Sequence, residues 1–189
     1  MRVRFLVLLL LASFLCGGDS QQPTSRAAEP GRGQPPKMNR LMDMVKPGEP
    51  VPSPITFSSN FERIVLVRMT YETDVLEALN KAVEREKIKS AAILSGAGSL
   101  KSYHVHVVSN TTFPSQNVFF KGEGPYDLTA VNGYVVGGRV HAHVTFSDDK
   151  HTLAGHLEPG TKAFTFAVVT LGVFGEEVDL QGLDDKNWK

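Results

Sequence analysis

Three histidines fall where a pair of strands would gather them. His141 and His143 sit two residues apart in Arg139-Val140-His141-Ala142-His143-Val144-Thr145-Phe146, and His156 follows after a short polar break. Successive side chains of a strand point to opposite faces. An extended 139–146 therefore puts His141, His143 and Thr145 on one face and Val140, Ala142, Val144 and Phe146 on the other. The second set is apolar and is the expected core face. Ser147-Asp148-Asp149-Lys150 is turn chemistry, and a two-residue loop at Asp148-Asp149 returns the chain as a strand over 152–157. In that register His141 lies opposite His156, with Cβ atoms about 4.5–5.5 Å apart, and His143 lies opposite Ala154. Three imidazoles on one patch, with a small alanine leaving room, suit a three-histidine metal site. Such a site needs neutral nitrogen ligands at about 2.0–2.1 Å and an open position for water or substrate. A one-residue slip would carry His156 to the wrong face. The pattern also fits a solvated polar face with unliganded histidines.

Other polar residues of this region are placed by the same register. Arg139 falls opposite Glu158, as a cross-strand ion pair or as a contact to a ligand or to the metal's own ligands. His151 falls opposite Phe146, away from the proposed site, and is excluded. His104 and His106 share one face of an earlier strand, but no third ligand joins them by local geometry. They are assigned to a solvated or interface face.

The elements that must position these residues begin near Phe61. Residues 63–69 (Arg-Ile-Val-Leu-Val-Arg-Met) read as a buried strand. Thr73 is placed to cap a helix over 74–87 whose apolar stripe is Val75, Leu76, Leu79, Ala82 and Val83, with Asp74 and Glu77 at its positive end. Residues 90–94 form a short apolar strand, and Gly96-Ala97-Gly98-Ser99 reads as a tight turn. Further strands are expected over 102–109, 118–121, 127–136, 139–146, 152–157 and 163–174. One helix followed by many strands predicts an α+β domain, with a mixed, mostly antiparallel sheet and the main helix packed on it.

The ends read differently. Arg2 and Arg4 precede an apolar run from Phe5 to Cys16 broken only by Ser13. Twelve residues span about 18 Å as a helix, too short for a bilayer. This is a secretory signal pattern, with cleavage expected after Gly18. It places the mature chain in the periplasm or outside the cell, with no transmembrane span. Leu-Ala-Ser-Phe-Leu-Cys resembles bacterial lipoprotein signals in part, but Leu15 stands where those want a small residue. Soluble export therefore ranks above a lipid anchor on Cys16. Eight of the eleven prolines lie between residues 19 and 58, the signature of a disordered linker. One short patch there, 38–45, has the pattern of a helical turn or docking segment. The expected layout is thus a signal peptide over 1–18, a linker over 19–58, one domain over 59–180 and a tail over 181–189.

Composition removes several functions. The single cysteine excludes an intramolecular disulfide framework and a Cys-rich zinc finger. Twenty Lys+Arg balance twenty Asp+Glu over the whole chain. Residues 59–180 hold eleven basic against fourteen acidic residues, a net −3. Nucleic-acid affinity is dominated by phosphate neutralisation, so nucleic acid is not the expected partner.

Residues from about 60 to 180 resemble the plants-and-prokaryotes-conserved (PPC) domain. The segments that carry the resemblance are Asp74-Val75-Leu76-Glu77-Ala78-Leu79, Ile93-Leu94-Ser95-Gly96-Ala97-Gly98-Ser99, Gly124-Pro125-Tyr126-Asp127-Leu128, Val140-His141-Ala142-His143 and Ala154-Gly155-His156-Leu157-Glu158-Pro159-Gly160. The resemblance implies a compact domain of α/β or α+β type that forms homotrimers. Bacterial and archaeal relatives imply a metal held by the histidines matching His141, His143 and His156. Plant relatives couple the domain to separate DNA-binding hooks. Gly31-Arg32-Gly33-Gln34-Pro35 approaches such a hook but lacks its second arginine.

These readings together describe an exported homotrimer. It binds one divalent transition metal, zinc by coordination preference and availability, and binds or turns over a small anionic ligand at the open position. No general base stands beside the three histidines in sequence, so catalysis stays open. The competing reading is a structural or protein-interaction module whose metal, if any, only braces the hairpin, or a DNA-associated protein like the plant relatives.

Overall fold

The computed structural model describes residues 39–56 and 58–186, all within one compact unit, Pro36–Lys189. The expected signal peptide, Cys16, the hook-like segment and the first half of the expected linker lie outside the described residues. Among the described residues no helix is long and apolar enough to cross a membrane.

Strands β1 (Asn39–Arg40), β2 (Phe61–Met69), β3 (Ser90–Val108), β4 (Asn117–Val136), β5 (Arg139–Ser147), β6 (Thr152–Leu157), β7 (Lys162–Phe174) and β8 (Val178–Asp179) accompany one α-helix, α1 (Val75–Arg85). The main sheet is antiparallel with strand order β2-β7-β3-β4-β5-β6. One helix on a mostly antiparallel sheet is the α+β arrangement the sequence implies.

Helix α1 is capped by Asp74, not by Thr73, and its first residue is Val75. The Asp74 carboxylate accepts from the Glu77 backbone N–H at 3.0 Å and from the Gly160 N–H at 2.6 Å. The cap therefore also ties the helix to the turn before β7. Val75, Leu79, Ala82 and Val83 are buried, and the helix packs on β2, β5 and β7. These side chains join Met69, Leu100, Val131, Val144, Phe146 and Leu157 in one core.

Two sequence expectations are corrected in the middle of the chain. Gly96-Ala97-Gly98-Ser99 is not a turn: β3 runs through it for 19 residues, with its pairing to β7 slipping on either side of Gly98. A side chain at Gly96 would collide with Val131, and one at Gly98 with the backbone of Phe166 and Ala167. The glycines let the neighbouring strands approach closely. Residues 118–121 and 127–136 likewise belong to a single 20-residue strand, β4.

Strand β6 pairs with β5 on one side and, through Val105↔Leu157 and His106↔His156, with β3 on the other. The sheet β3-β4-β5-β6 thus closes on itself at this end. Gly155 permits the closure, because a Cβ there would lie 2.8 Å from the His106 carbonyl oxygen and 2.9 Å from the Val105 Cβ.

Part of the stretch read as linker is built into the unit. Asn39–Arg40 pairs in parallel with Val178–Asp179, and a 3₁₀ turn over Leu41–Met44 follows, inside the patch expected as a helical turn or docking segment. Leu41, Val178 and Leu180 are buried, the last two against Val136.

Candidate metal centre

Strand β5 alternates as its sequence requires. Val140, Ala142, Val144 and Phe146 are each at most 8% exposed, so His141, His143 and Thr145 occupy the opposite face. The loop to β6 is longer than two residues. The Asp148 carboxylate accepts from the backbone N–H groups of Lys150 and His151 at 2.8 and 2.6 Å, and the Asp148 N–H bonds the His151 carbonyl at 3.0 Å. This aspartate-stabilised loop holds Asp148 to His151 outside the ladder and shifts the pairing by two residues. His143, not His141, is opposite His156, and Thr145 is opposite Ala154. Phe146 faces Leu153, and His151 sits exposed in the loop. A shift of two keeps every side chain on its face, so all three predicted histidines still meet.

Their ring centroids are 5.5 Å apart for His141–His143, 4.9 Å for His141–His156 and 5.2 Å for His143–His156. The sequence reading missed a fourth imidazole. His106, brought in by β3, stacks on His156 with centroids 4.5 Å apart. His104 takes no part: its Nδ1 lies 2.7 Å from the Pro159 carbonyl oxygen. The four rings line a cleft of about 630 Å³ with Arg139, Asp184 and Lys186 on its walls.

The predicted Arg139–Glu158 pair does not form. Arg139 is opposite Val136 on β4 and bonds the Asp184 carboxylate. Glu158 Oε1 lies 2.6 Å from His106 Nδ1 and 3.6 Å from His156 Nδ1. Asp184 Oδ2 also lies 3.1 Å from His141 Nδ1. An ionised carboxylate only accepts, so His106 and His141 each donate from Nδ1, and a neutral ring held this way has its lone pair on Nε2. Carboxylates in this position orient metal-binding imidazoles.

Electrostatics favour neutral rings at His143 and His156. Burial, then the neighbouring imidazoles His141 and His106, hold His143 below the usual histidine range. His156 is held below it by burial and then by His106, His141 and His143, against the opposing pull of Glu158. Burial pushes the Asp184 carboxyl up, but the hydrogen bonds and charges of Arg139 and His141 outweigh it and bring it below the usual range.

The donor set fits a transition metal. His156 Nδ1 is buried and has no hydrogen-bond partner, a state that is costly unless something completes it. Donor atoms of His106, His156 and Glu158 all lie within 4.8 Å of one another. Neutral imidazole nitrogen with a carboxylate oxygen is a zinc-compatible set.

Two of these residues carried little local signal. His106 belongs to a His-x-His pair like that of β5, and the repeated spacing was its only mark. Asp184 lies in a tail, 43 residues from His141.

The fold is shared with solved proteins. A metal-containing protein from Archaeoglobus fulgidus aligns with a TM-score of 0.56 and 22% identity, over 65% of this chain and 87% of that one. A plant- and prokaryote-conserved (PPC) protein from Pyrococcus horikoshii aligns with a TM-score of 0.54 and 22% identity, over 65% and 86%. A candidate DNA-binding protein from Bacteroides thetaiotaomicron aligns with a TM-score of 0.52 and 20% identity, over 62% and 83%. At these identities the likeness establishes the fold alone. No curated protein sequence matches the chain. The family profile of the Plants and Prokaryotes Conserved (PCC) domain matches residues 56–175, well over half of the sequence. On that match, with the agreement in fold, this chain belongs to the Plants and Prokaryotes Conserved (PCC) domain family.

Proposed function

We propose that this protein is an exported, homotrimeric member of its family that holds one divalent transition metal, zinc first, through His141, His143 and His156. The observation that carries the reading is the buried Nδ1 of His156, which makes no hydrogen bond, among three other imidazoles. The structural neighbour from Archaeoglobus fulgidus described as metal-containing supports it. Zinc at such a site supplies a Lewis acid with an open coordination position. The chain's own part is to present neutral nitrogens, and the ligand met there is a small anion that completes the coordination.

The trimer is supported by an apolar outer sheet face. Ile64 and Leu66 of β2 and Phe164 and Phe166 of β7 are exposed, Leu66 to 68%, and such patches mark interfaces. Export rests on the signal pattern of residues 1–18.

Elemental analysis of the purified full chain tests the metal. About one zinc per chain is expected, with His156→Ala abolishing it and His141→Ala and His143→Ala each weakening it sharply. The close grouping of His106, His156 and Glu158 supports a second ligand set that shares His156. Loss of zinc in His106→Ala and Glu158→Gln, with His141→Ala and His143→Ala unchanged, would select that set. No bound metal in the wild type overturns both.

A second reading is nucleic-acid association, which the sequence set aside. Two structural relatives, from Bacteroides thetaiotaomicron and Ralstonia eutropha, are described as candidate DNA-binding proteins. Binding that weakens steeply with salt would establish it. No retardation of DNA at low salt removes it.

A further inference from the structure

We infer that the C-terminal segment 180–186 is a strap along the histidine cleft, in which Asp184 is the positioning residue that fixes the tautomer of His141, so that docking of the strap and metal binding strengthen each other. The coupling rests on the metal reading above; the tautomer does not.

The strap is built rather than draped. Leu180 is 3% exposed and β8 before it is hydrogen-bonded to β1. Two successive turns follow, closed by Leu183 N–H to the Leu180 carbonyl and Asp185 N–H to the Gly182 carbonyl, each at 3.0 Å. Gly182 takes a φ of +91° between them, a conformation that suits glycine. These turns bring Asp184 onto Arg139 and His141 and place Asp185 and Lys186 on the wall of the cleft. All of this lies beyond residue 175, where the family match ends.

Asp184 acts on His141 through geometry. Tyr134 stacks on the His141 ring, with centroids 4.8 Å apart and planes 27° apart. Asp184 holds its Nδ1 edge at 3.1 Å. A ring clamped on face and edge has one Nε2 direction, and the acceptor-only carboxylate keeps the proton on Nδ1. Arg139 holds the same carboxylate oxygen from the other side. Without Asp184 the ring loses the partner that selects the tautomer with a free Nε2. Linkage is reciprocal: whatever factor the docked strap adds to metal affinity, the metal adds to strap docking.

The test uses the full chain with ¹⁵N-labelled histidine. In the metal-free wild type at alkaline pH, long-range ¹H–¹⁵N correlation should show His141 protonated at Nδ1. Asp184→Ala should shift it toward the Nε2–H form, and Asp184→Glu should restore Nδ1–H. Zinc affinity, measured against a chromogenic chelator, should fall roughly ten- to hundredfold in Asp184→Ala and recover in Asp184→Glu. Zinc should slow proteolysis at Lys186 in the wild type and not in Asp184→Ala. Asp184→Leu, of similar size and without an acceptor, should reproduce the alanine result if the alanine variant folds poorly. A wild-type tautomer in Asp184→Ala or Asp184→Leu overturns the positioning role. A shifted tautomer with unchanged zinc affinity overturns the coupling and leaves the metal reading standing. A wild type that binds no zinc but shows the tautomer shift overturns the metal reading and the coupling, and keeps Asp184 as the residue that orients His141.

Discussion

His106 and His156 are partners across the β3–β6 pairing, their rings stacked 4.5 Å apart, although fifty residues separate them in sequence. Neither the β5–β6 hairpin nor the β3–β4 ladder makes this contact alone. It exists because β6, already paired to β5, also reaches β3, and Gly155 is the point where the two backbones come close.

Gly155→Ala is accordingly expected to open the closure. Its Cβ would meet the backbone of His106 and the side chain of Val105, and neither can move without shifting a strand. A loss of about 1–3 kcal/mol is expected, as for overpacked cores. Chemical denaturation measures it. Histidine ring resonances of His106 and His156 should move most, and wild-type stability with unmoved resonances would contradict the role given to Gly155.

Phe146 anchors the core side of the strand that carries His141 and His143. It is fully buried, with its ring 4.7 Å from Tyr103 and 5.5 Å from Tyr126. Phe146→Ala should cost about 3–5 kcal/mol. The denaturation midpoint should fall with an unchanged slope. A loss below about 1 kcal/mol would mean that the site is not braced from this side.

The histidine cluster should make the metal-free protein less stable in acid. His143 and His156 bind protons less readily when folded than when unfolded. Above the unfolded histidine pKa, near about 6.5, both states are neutral there and these two rings contribute no pH dependence. As pH falls through that value the unfolded chain takes up protons first, so stability falls until the folded rings titrate as well. Zinc affinity should hold to a lower pH than free imidazole would allow, because the ligands stay neutral longer. Paired measurements on His143→Gln and His156→Gln should flatten the acid side of the stability curve. An unchanged curve would remove the cluster as its source.

The outer sheet face should govern assembly. Light scattering of the wild type is expected to give the mass of three chains at micromolar concentration. Leu66→Glu or Phe166→Glu places a charge on a face that a neighbour is expected to cover and should yield monomers with unchanged far-UV dichroism. A monomeric wild type would contradict the trimer.

Much of the candidate site was legible in the residues because side-chain alternation is local. It follows from the pleat of the backbone, and it put Val140, Ala142, Val144 and Phe146 inward and His141, His143 and Thr145 together on the other face before any partner strand was known. The same parity protected His156. The loop is two residues longer than expected, and an even shift changes who sits opposite whom without changing faces. Helix α1 was legible for a similar reason, since its stripe and its acidic first turn lie within one stretch of chain. Tertiary structure decided the rest. Gly96 and Gly98 carry the composition of a turn, and only the close approach of Val131 and Phe166 in the folded sheet makes the segment part of one continuous strand. His106 joins the cluster only because the sheet closes, and Asp184 reaches His141 only because β8 docks on β1 and two turns follow. Such contacts depend on pairing between distant segments. The free energy that selects those pairings belongs to the packed whole, and no local pattern records it.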